Sequence, residues 1–247
     1  MGESFLKDAL QYIVGNAQPR WFTDKNNNEW CNERLFQVMP KEDEPTQTVE
    51  VNTLSGLVDL VKNEGVHVGG KLFVHVANER TVRVYSEFRK GNNTRFLRYG
   101  LYQAVADLPR ITVGRPMSQE QAIVELQSLY GVTEDRTYLL DLISRISIED
   151  GVTSCDNGVT QEVTARSGVA LKEQTQVKPI VELQPYRTFL EVEQPVSNFL
   201  LRVGKDGVTL HEADGGVWRL MAKSITATYL KELLDTEIEA GKVVVMV

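Results

Sequence analysis

The chain has 247 residues, with 27 basic and 34 acidic side chains, a net charge of −7, 42% hydrophobic residues and 25% charged ones. That length buries a core without disulfides or a structural metal, and the composition is that of a folded globular chain rather than a disordered, fibrous or disulfide-stapled one. The acidic balance excludes a uniformly basic nucleic-acid binder, and three histidines and two cysteines leave little material for a transition-metal site.

The opening MGESFLKDALQYIVGNAQPR lacks the unbroken apolar stretch of a secretory signal, because Lys7, Asp8 and Gln11 interrupt it. It reads instead as a short amphipathic helix with Phe5, Leu6, Ala9, Leu10 and Ile13 on one side. A myristoylation motif would place Ser or Thr where Leu6 stands. WFTDKNNNEW reads as irregular. Asp24, Asn26 and Asn28 alternate like calcium ligands, but Glu29 and Leu35 occupy the positions that need glycine and a bidentate glutamate. PKEDEP is a polar linker signal. Residues 1–45 therefore read as a helical and extended arm, and residues 46–247 as the main unit. No stretch approaches the roughly 20 apolar residues of a membrane span. Cys31 and Cys155 sit in no CxxC and read as reduced thiols of a cytoplasmic protein.

In the main unit, QTVEV begins an alternating pattern. Leu54, Leu57, Val58 and Val61 then follow helical spacing up to Gly65. KLFVHVA and TVRVYSEF read as strands, with Val82, Val84 and Phe88 on one face. KGNN reads as a turn and RFLRYGLY as a third strand. Ser118 and Gln121 have capping-box spacing ahead of a helix with Ala122, Leu126, Leu129 and Tyr130 inward. Thr133 caps the next, with Leu139, Leu142, Ile143 and Ile146 inward. From residue 151 to 222 the pattern turns to strands, and the turn sequences GKDG and ADGG predict a meander of FLLRV, VTLHEA and VWRLMA. Ser224 opens the last helix, with Leu230, Leu233, Leu234 and Ile238 inward, and KVVVMV is a strand that docks on a sheet. The fold class is α+β: a mixed, largely antiparallel sheet with packed helices and an N-terminal helical arm.

Catalytic signatures are sparse. No GxxxxGK[ST] or GxSxG occurs, and the pairs Gly69-Gly70 and Gly215-Gly216 read as turns between strands rather than phosphate cradles. His67, His75 and His211 have no metal-ligand spacing. His211 neighbours Glu212 and Asp214, but strand alternation sends His211 and Glu212 to opposite faces. The chain is expected to carry no catalytic set, metal or cofactor.

Charge is the strongest local feature. Between Arg80 and Arg115 lie eight basic residues and two acids, a local +6 in a chain whose remainder carries −13. Arg80, Arg83, Arg89, Lys90, Arg95 and Arg98 interleave with Tyr85, Phe88, Phe96, Tyr99 and Tyr102. Arg80, Arg83, Tyr85, Arg89, Lys90, Arg95, Arg98 and Tyr99 are the candidate contact residues. Cations and rings of this kind suit single-stranded nucleic acid. The same residues also suit aromatics in the core with the arginines on an ordinary solvated face, or a basic segment that meets the acidic remainder of a neighbouring subunit. The subunit contact is the favoured expectation.

Two further stretches, GVTQEVTARSGVALKE (residues 158–173) and PYRTFLEVEQP (residues 185–195) followed by SNFLLRV and EADGGVWRL, resemble the family of bacteriophage and prophage proteins that includes the cryptic-prophage protein YfdQ. The similarity runs from about residue 49 onward and leaves the arm outside it. The resemblance implies a phage or prophage origin and action in the bacterial host cytoplasm, and it transfers no site residue. Read from their residues alone, VTQEVTARSGV is a strand or exposed extended loop able to pair its backbone with another chain, and PYRTFLEVEQP is an edge strand held between prolines. The expected function is a non-enzymatic phage accessory protein that self-assembles as a homo-oligomer. The alternatives are a single-strand nucleic-acid binder of phage replication or recombination, and, last, a hydrolase or nuclease using Glu212 and Asp214.

Overall fold

The computed structural model describes residues 6–8, 10–12, 15, 21–27, 29–31, 36–38, 47–90, 96–145, 155–156, 161–167, 171–204 and 206–247. In the arm, residues 6–8 and 10–12 are helical, with Leu6, Leu10 and Tyr12 exposed. WFTDKNNNEW is not irregular: Trp21–Thr23 pairs antiparallel with Glu29–Cys31, which pairs in turn with Phe36–Val38. Asp24 makes the turn. Its carboxylate accepts from the Asn26 amide (2.8 Å), its carbonyl accepts from the Asn27 amide (3.1 Å), and Asn27 takes φ 64°. Asparagine tolerates that left-handed backbone better than most residues, so the Asn run serves a hairpin. The linker PKEDEP and the turn at residues 91–93 lie outside the described residues, as does Ile146.

The main unit runs β1 (Val49–Val51), α1 (Leu54–Asn63), β2 (Leu72–Asn78), β3 (Thr81–Ser86), β4 (Gly100–Val105), α2 (Gln119–Leu129), α3 (Glu134–Arg145), β5 (Ile180–Leu183), β6 (Ser197–Gly204), β7 (Gly207–Glu212), α4 (Val217–Leu233), α5 (Asp235–Glu239) and β8 (Val243–Met246). It is α+β, as the pattern predicts. Five strands form one sheet in the order β8-β2-β3-β4-β1. The inner pairs are antiparallel, and the outer pairs, β8 with β2 and β1 with β4, are parallel. The period-2 alternation of β2 and β3 sends Leu72, Val74, Val76, Val82 and Val84 to one face. There they meet Leu54, Leu57, Val58 and Val61 of α1, and Ala227 and Leu230 of α4. The Thr53 hydroxyl caps α1 by accepting from the Gly56 amide (3.1 Å).

A second core lies under an antiparallel sheet, β5-β6-β7, which packs on α2 and α3. Ser118 caps α2 at the Gln121 amide (3.2 Å) and Thr133 caps α3 at the Arg136 amide (3.0 Å), as their spacing predicts. Leu139, Leu142 and Ile143 are fully buried. Gln161–Ser167 pairs antiparallel with Leu171–Val177, so this segment's backbone finds its partner within its own chain.

Further expectations are corrected. VWRLMA is not the third strand of a meander; it opens the 17-residue helix α4, ahead of the Ser224 start expected from sequence. The Asp214 carboxylate accepts from the amides of Gly216 (3.0 Å) and Trp218 (3.2 Å), and Gly216 takes φ 83°, so the ADGG turn starts a helix. Gly215-Gly216 therefore does not lie between strands, though the anion position at this helix start is already filled by Asp214. RFLRYGLY is not one strand: Phe96–Leu97 pairs briefly with Arg89–Lys90, and β4 begins only at Gly100. β3 ends at Ser86, which is itself buried, so Phe88 lies beyond the strand and is exposed rather than sharing its inward face.

PYRTFLEVEQP also departs from its expected strand. It is a buried irregular loop, not an edge strand, and Gln194 holds it. The Gln194 side-chain oxygen accepts from the Arg187 (2.9 Å) and Thr188 (3.1 Å) amides, and its amide nitrogen donates to the Phe189 (3.0 Å) and Val192 (3.1 Å) carbonyls. One side chain thereby satisfies backbone groups that a strand would have paired. The loop reaches both cores. Phe189 enters the core of the five-stranded sheet, the Thr188 hydroxyl donates to the Glu79 carbonyl (2.6 Å), and Glu191 accepts from the first amides of α1, Leu54 (2.5 Å) and Ser55 (2.8 Å). A carboxylate there complements the helix dipole.

Candidate interaction face

With α1 and α4 on one side of the five-stranded sheet, the alternate residues of its strands face the other way. Two cross-strand rows form there. Met246, His75, Arg83, Gln103 and Glu50 stand side by side across all five strands, and Val244, Phe73 and Tyr85 form the adjacent row. Phe73, His75, Tyr85 and Gln103 are half-buried, whereas Arg83 and Val244 are exposed. Polar contacts order the first row: Arg83 Nε donates to Gln103 Oε1 (2.9 Å), and Gln103 Nε2 donates to Glu50 Oε2 (3.0 Å). Rings order the second. The Arg98 guanidinium carbon lies 5.0 Å from the Phe73 ring centre and 4.1 Å from that of Phe88, and His75 and Tyr85 are 6.4 Å apart. Phe88 and Phe96 remain 59% and 70% exposed. A guanidinium held between two rings is a cation–π arrangement open to solvent.

Of the candidate contact residues, Arg83, Tyr85 and Arg98 are brought together on this face. Arg80 is exposed in the β2–β3 turn. Arg89 donates through Nη2 to the Val68 and Gly69 carbonyls and so pins the connector ahead of β2. Lys90 is exposed on the short pairing beside the sheet, and the Tyr99 amide donates to the Ser86 hydroxyl (3.1 Å). Arg95 lies outside the described residues. Tyr102 points the opposite way: it is buried, its hydroxyl donates to Glu64 (3.4 Å), and burial together with that carboxylate raises its pKa. Arg110 and Arg115 fall in the connector after β4, and Arg110 lines a groove beside α2 with Thr112, Gln121 and Glu125. Sequence reasoning missed Phe73, Gln103, Glu50 and Val244. The signal for Phe73 was present, since it alternates with inward Leu72 and Val74.

A second cluster lies between the cores. Arg187 is only 2% exposed. Its Nη1 donates to Glu212 Oε1 (2.9 Å), Nη2 donates to the Ser197 hydroxyl, and its guanidinium carbon stands 3.8 Å from the Trp218 ring centre and 5.4 Å from that of Phe199. Burial lowers the Arg187 pKa, while Glu212 and Asp214 oppose that shift. Arg219 flanks the same carboxylate, 3.9 Å from Glu212 Oε2. Tyr130 packs edge-on to Phe199, and burial, reinforced by the charge of Glu125, pushes its pKa well up. Glu212 is thus engaged with a buried cation and Asp214 with a helix start, so both carboxylates have structural partners. His211 is exposed on the other side of β7. Among the described residues, no group of three or more His, Cys, Asp or Glu side chains converges as metal ligands, and no helix is long and apolar enough to cross a membrane.

No protein-family model, curated protein or solved structure matches the chain.

Proposed function

We propose that the chain is a non-enzymatic accessory protein of bacteriophage or prophage origin that works as a homo-oligomer in the cytoplasm of the infected bacterium. Origin and compartment rest on the resemblance carried by residues 158–173 and 185–195. The observation that supports assembly is the open face of the five-stranded sheet, where half-buried Phe73 and Tyr85 and exposed Phe88 and Val244 surround Arg83 and Arg98. A face of rings and arginines is the composition of an interface core. The exposed Leu6, Leu10 and Tyr12 of the arm add apolar surface that a neighbouring subunit can cover. Light scattering of the full chain at micromolar concentration tests this reading. The expected result is a multimer whose state falls when residues 1–44 are removed, with the circular dichroism of the main unit kept. A monomeric full chain refutes it.

The Arg98 stack also favours a second reading, single-stranded nucleic acid on the same face. Rings there stack bases and arginines contact phosphates, so retention of an oligonucleotide falls with salt at a slope of about −0.7 per phosphate contact. Salt-sensitive retention that is lost on replacing Arg83 and Arg98 by Ala, with assembly intact, selects this reading over the first.

A further inference from the structure

β8 ends the five-stranded sheet, and its outer edge supplies a surface of a different kind from the open face. The register is Val243 beside Leu72 and Val245 beside Val74, with the Leu72 amide donating to the Lys242 carbonyl (2.8 Å). A parallel ladder with that bond directs the backbone groups of Val244 and the Met246 amide toward β2. The amides and carbonyls of Val243 and Val245 consequently point away from the sheet, and among the described residues no strand pairs with them.

Sheet edges are ordinarily protected by a charge, a proline, a bulge or a covering element. The run from Val243 to Val247 is VVVMV, with none of the first three. A groove of about 460 Å³ runs beside it, lined by Val243 to Val245 and by Ile238, with Lys71 and Lys231 and the acids Asp235 and Glu239 around them. An edge strand takes another strand by backbone pairing. The charges say which. A groove carrying one sign would repel its own copy, whereas the two cations and two anions of this one balance, so two copies related by a two-fold axis meet without net repulsion.

We propose that β8 pairs antiparallel with β8 of a second copy of this chain, joining two five-stranded sheets into one of ten strands. This rests on the self-assembly reading above and identifies one of its contacts. Val244 and Met246 share the open face with Phe73 and His75, so the pairing would also bring the two open faces side by side into one continuous surface.

The test compares the full chain with Val245→Pro. Proline at 245 removes an outward amide and leaves the bonds to β2, a position at which an edge strand accommodates proline. The expected result is a wild-type assembly with an even number of subunits and a variant of half that mass, with unchanged circular dichroism. Hydrogen exchange gives an independent measure. In the wild-type assembly the outward amides of Val243 and Val245 should exchange slowly, and dilution to the dissociated state should make them fast. If Val245→Pro fails to fold, the exchange result alone decides. An assembled wild type in which those amides exchange fast, or whose mass is unaltered by Val245→Pro, overturns the strand pairing and leaves self-assembly standing. A monomeric wild type overturns both.

Discussion

Replacing Gln194 by Ala tests whether one amide side chain holds the loop between the two cores. Gln194 is buried, its oxygen serves the amides of Arg187 and Thr188, and its nitrogen serves the carbonyls of Phe189 and Val192. In Gln194→Ala the two amides lose their acceptor where Arg187 and Thr188 are themselves buried. An orphaned buried donor costs about 1–3 kcal/mol, so two donors give about 2–6 kcal/mol before the carbonyls are counted. Gln194→Glu keeps the acceptor but turns an oxygen toward the Phe189 and Val192 carbonyls, so it is expected to be comparably damaging. Urea unfolding reads the loss as a lowered midpoint at unchanged slope, and hydrogen exchange reads it locally at the Arg187 and Thr188 amides. A change below about 0.5 kcal/mol in Gln194→Ala, the size of an ordinary surface substitution, would refute the assignment of Gln194 as the loop's organiser.

Truncating Leu142 or Ile143 to Ala is expected to cost about 2–5 kcal/mol by denaturant titration, because both are fully buried on α3. Near-neutral results at both positions would contradict the packing of α3 on the second core. Acid stability should depend on Asp135. Burial alone raises its pKa, but the bonds from the Glu182 amide (2.7 Å) and the Lys178 ammonium (2.7 Å) outweigh burial and lower it. A carboxylate whose folded pKa lies below its unfolded value stabilises the fold above the unfolded value, about 4, and that contribution is lost as pH falls through the folded one. Asp135→Asn should therefore flatten the acid limb of a stability-against-pH curve, and an unchanged limb counts against the pair.

Where a residue's neighbours in sequence are also its neighbours in space, the chain is readable in advance. The spacing of Leu54, Leu57, Val58 and Val61 fixes the inward face of α1, and hydroxyls at Ser118 and Thr133 mark two helix starts, because caps and amphipathic stripes are local. VWRLMA fails this test: four of its six residues are large and apolar, and so short a run has no distinct period. Only Asp214, by bonding two amides, commits it to helix. PYRTFLEVEQP fails for the opposite reason. Its flanking prolines suit an edge strand, but its backbone is satisfied by Gln194 within the loop, and its Arg187 is satisfied by Glu212 and Trp218 from distant segments. The open face was half legible. The arginines and tyrosines stood out by composition, while the row from Met246 to Glu50 required the strand order.

The order of synthesis meets an obstacle in the parallel pairing of β8 with β2. Val243 lies beside Leu72, so roughly 170 residues emerge from the ribosome between the two strands. During that interval α2, α3 and the β5-β6-β7 sheet can close their own core, whose described residues run from Ile111 to Leu210. The earlier sheet cannot. Val74, Val76, Val82 and Val84 wait for Ala227 and Leu230 of α4 to cover them, and translation proceeds at about 5–20 residues per second. For several seconds the nascent chain therefore presents a half-clad valine sheet to solvent, and chaperone contact during translation should concentrate on residues 72–86 rather than on the part made last.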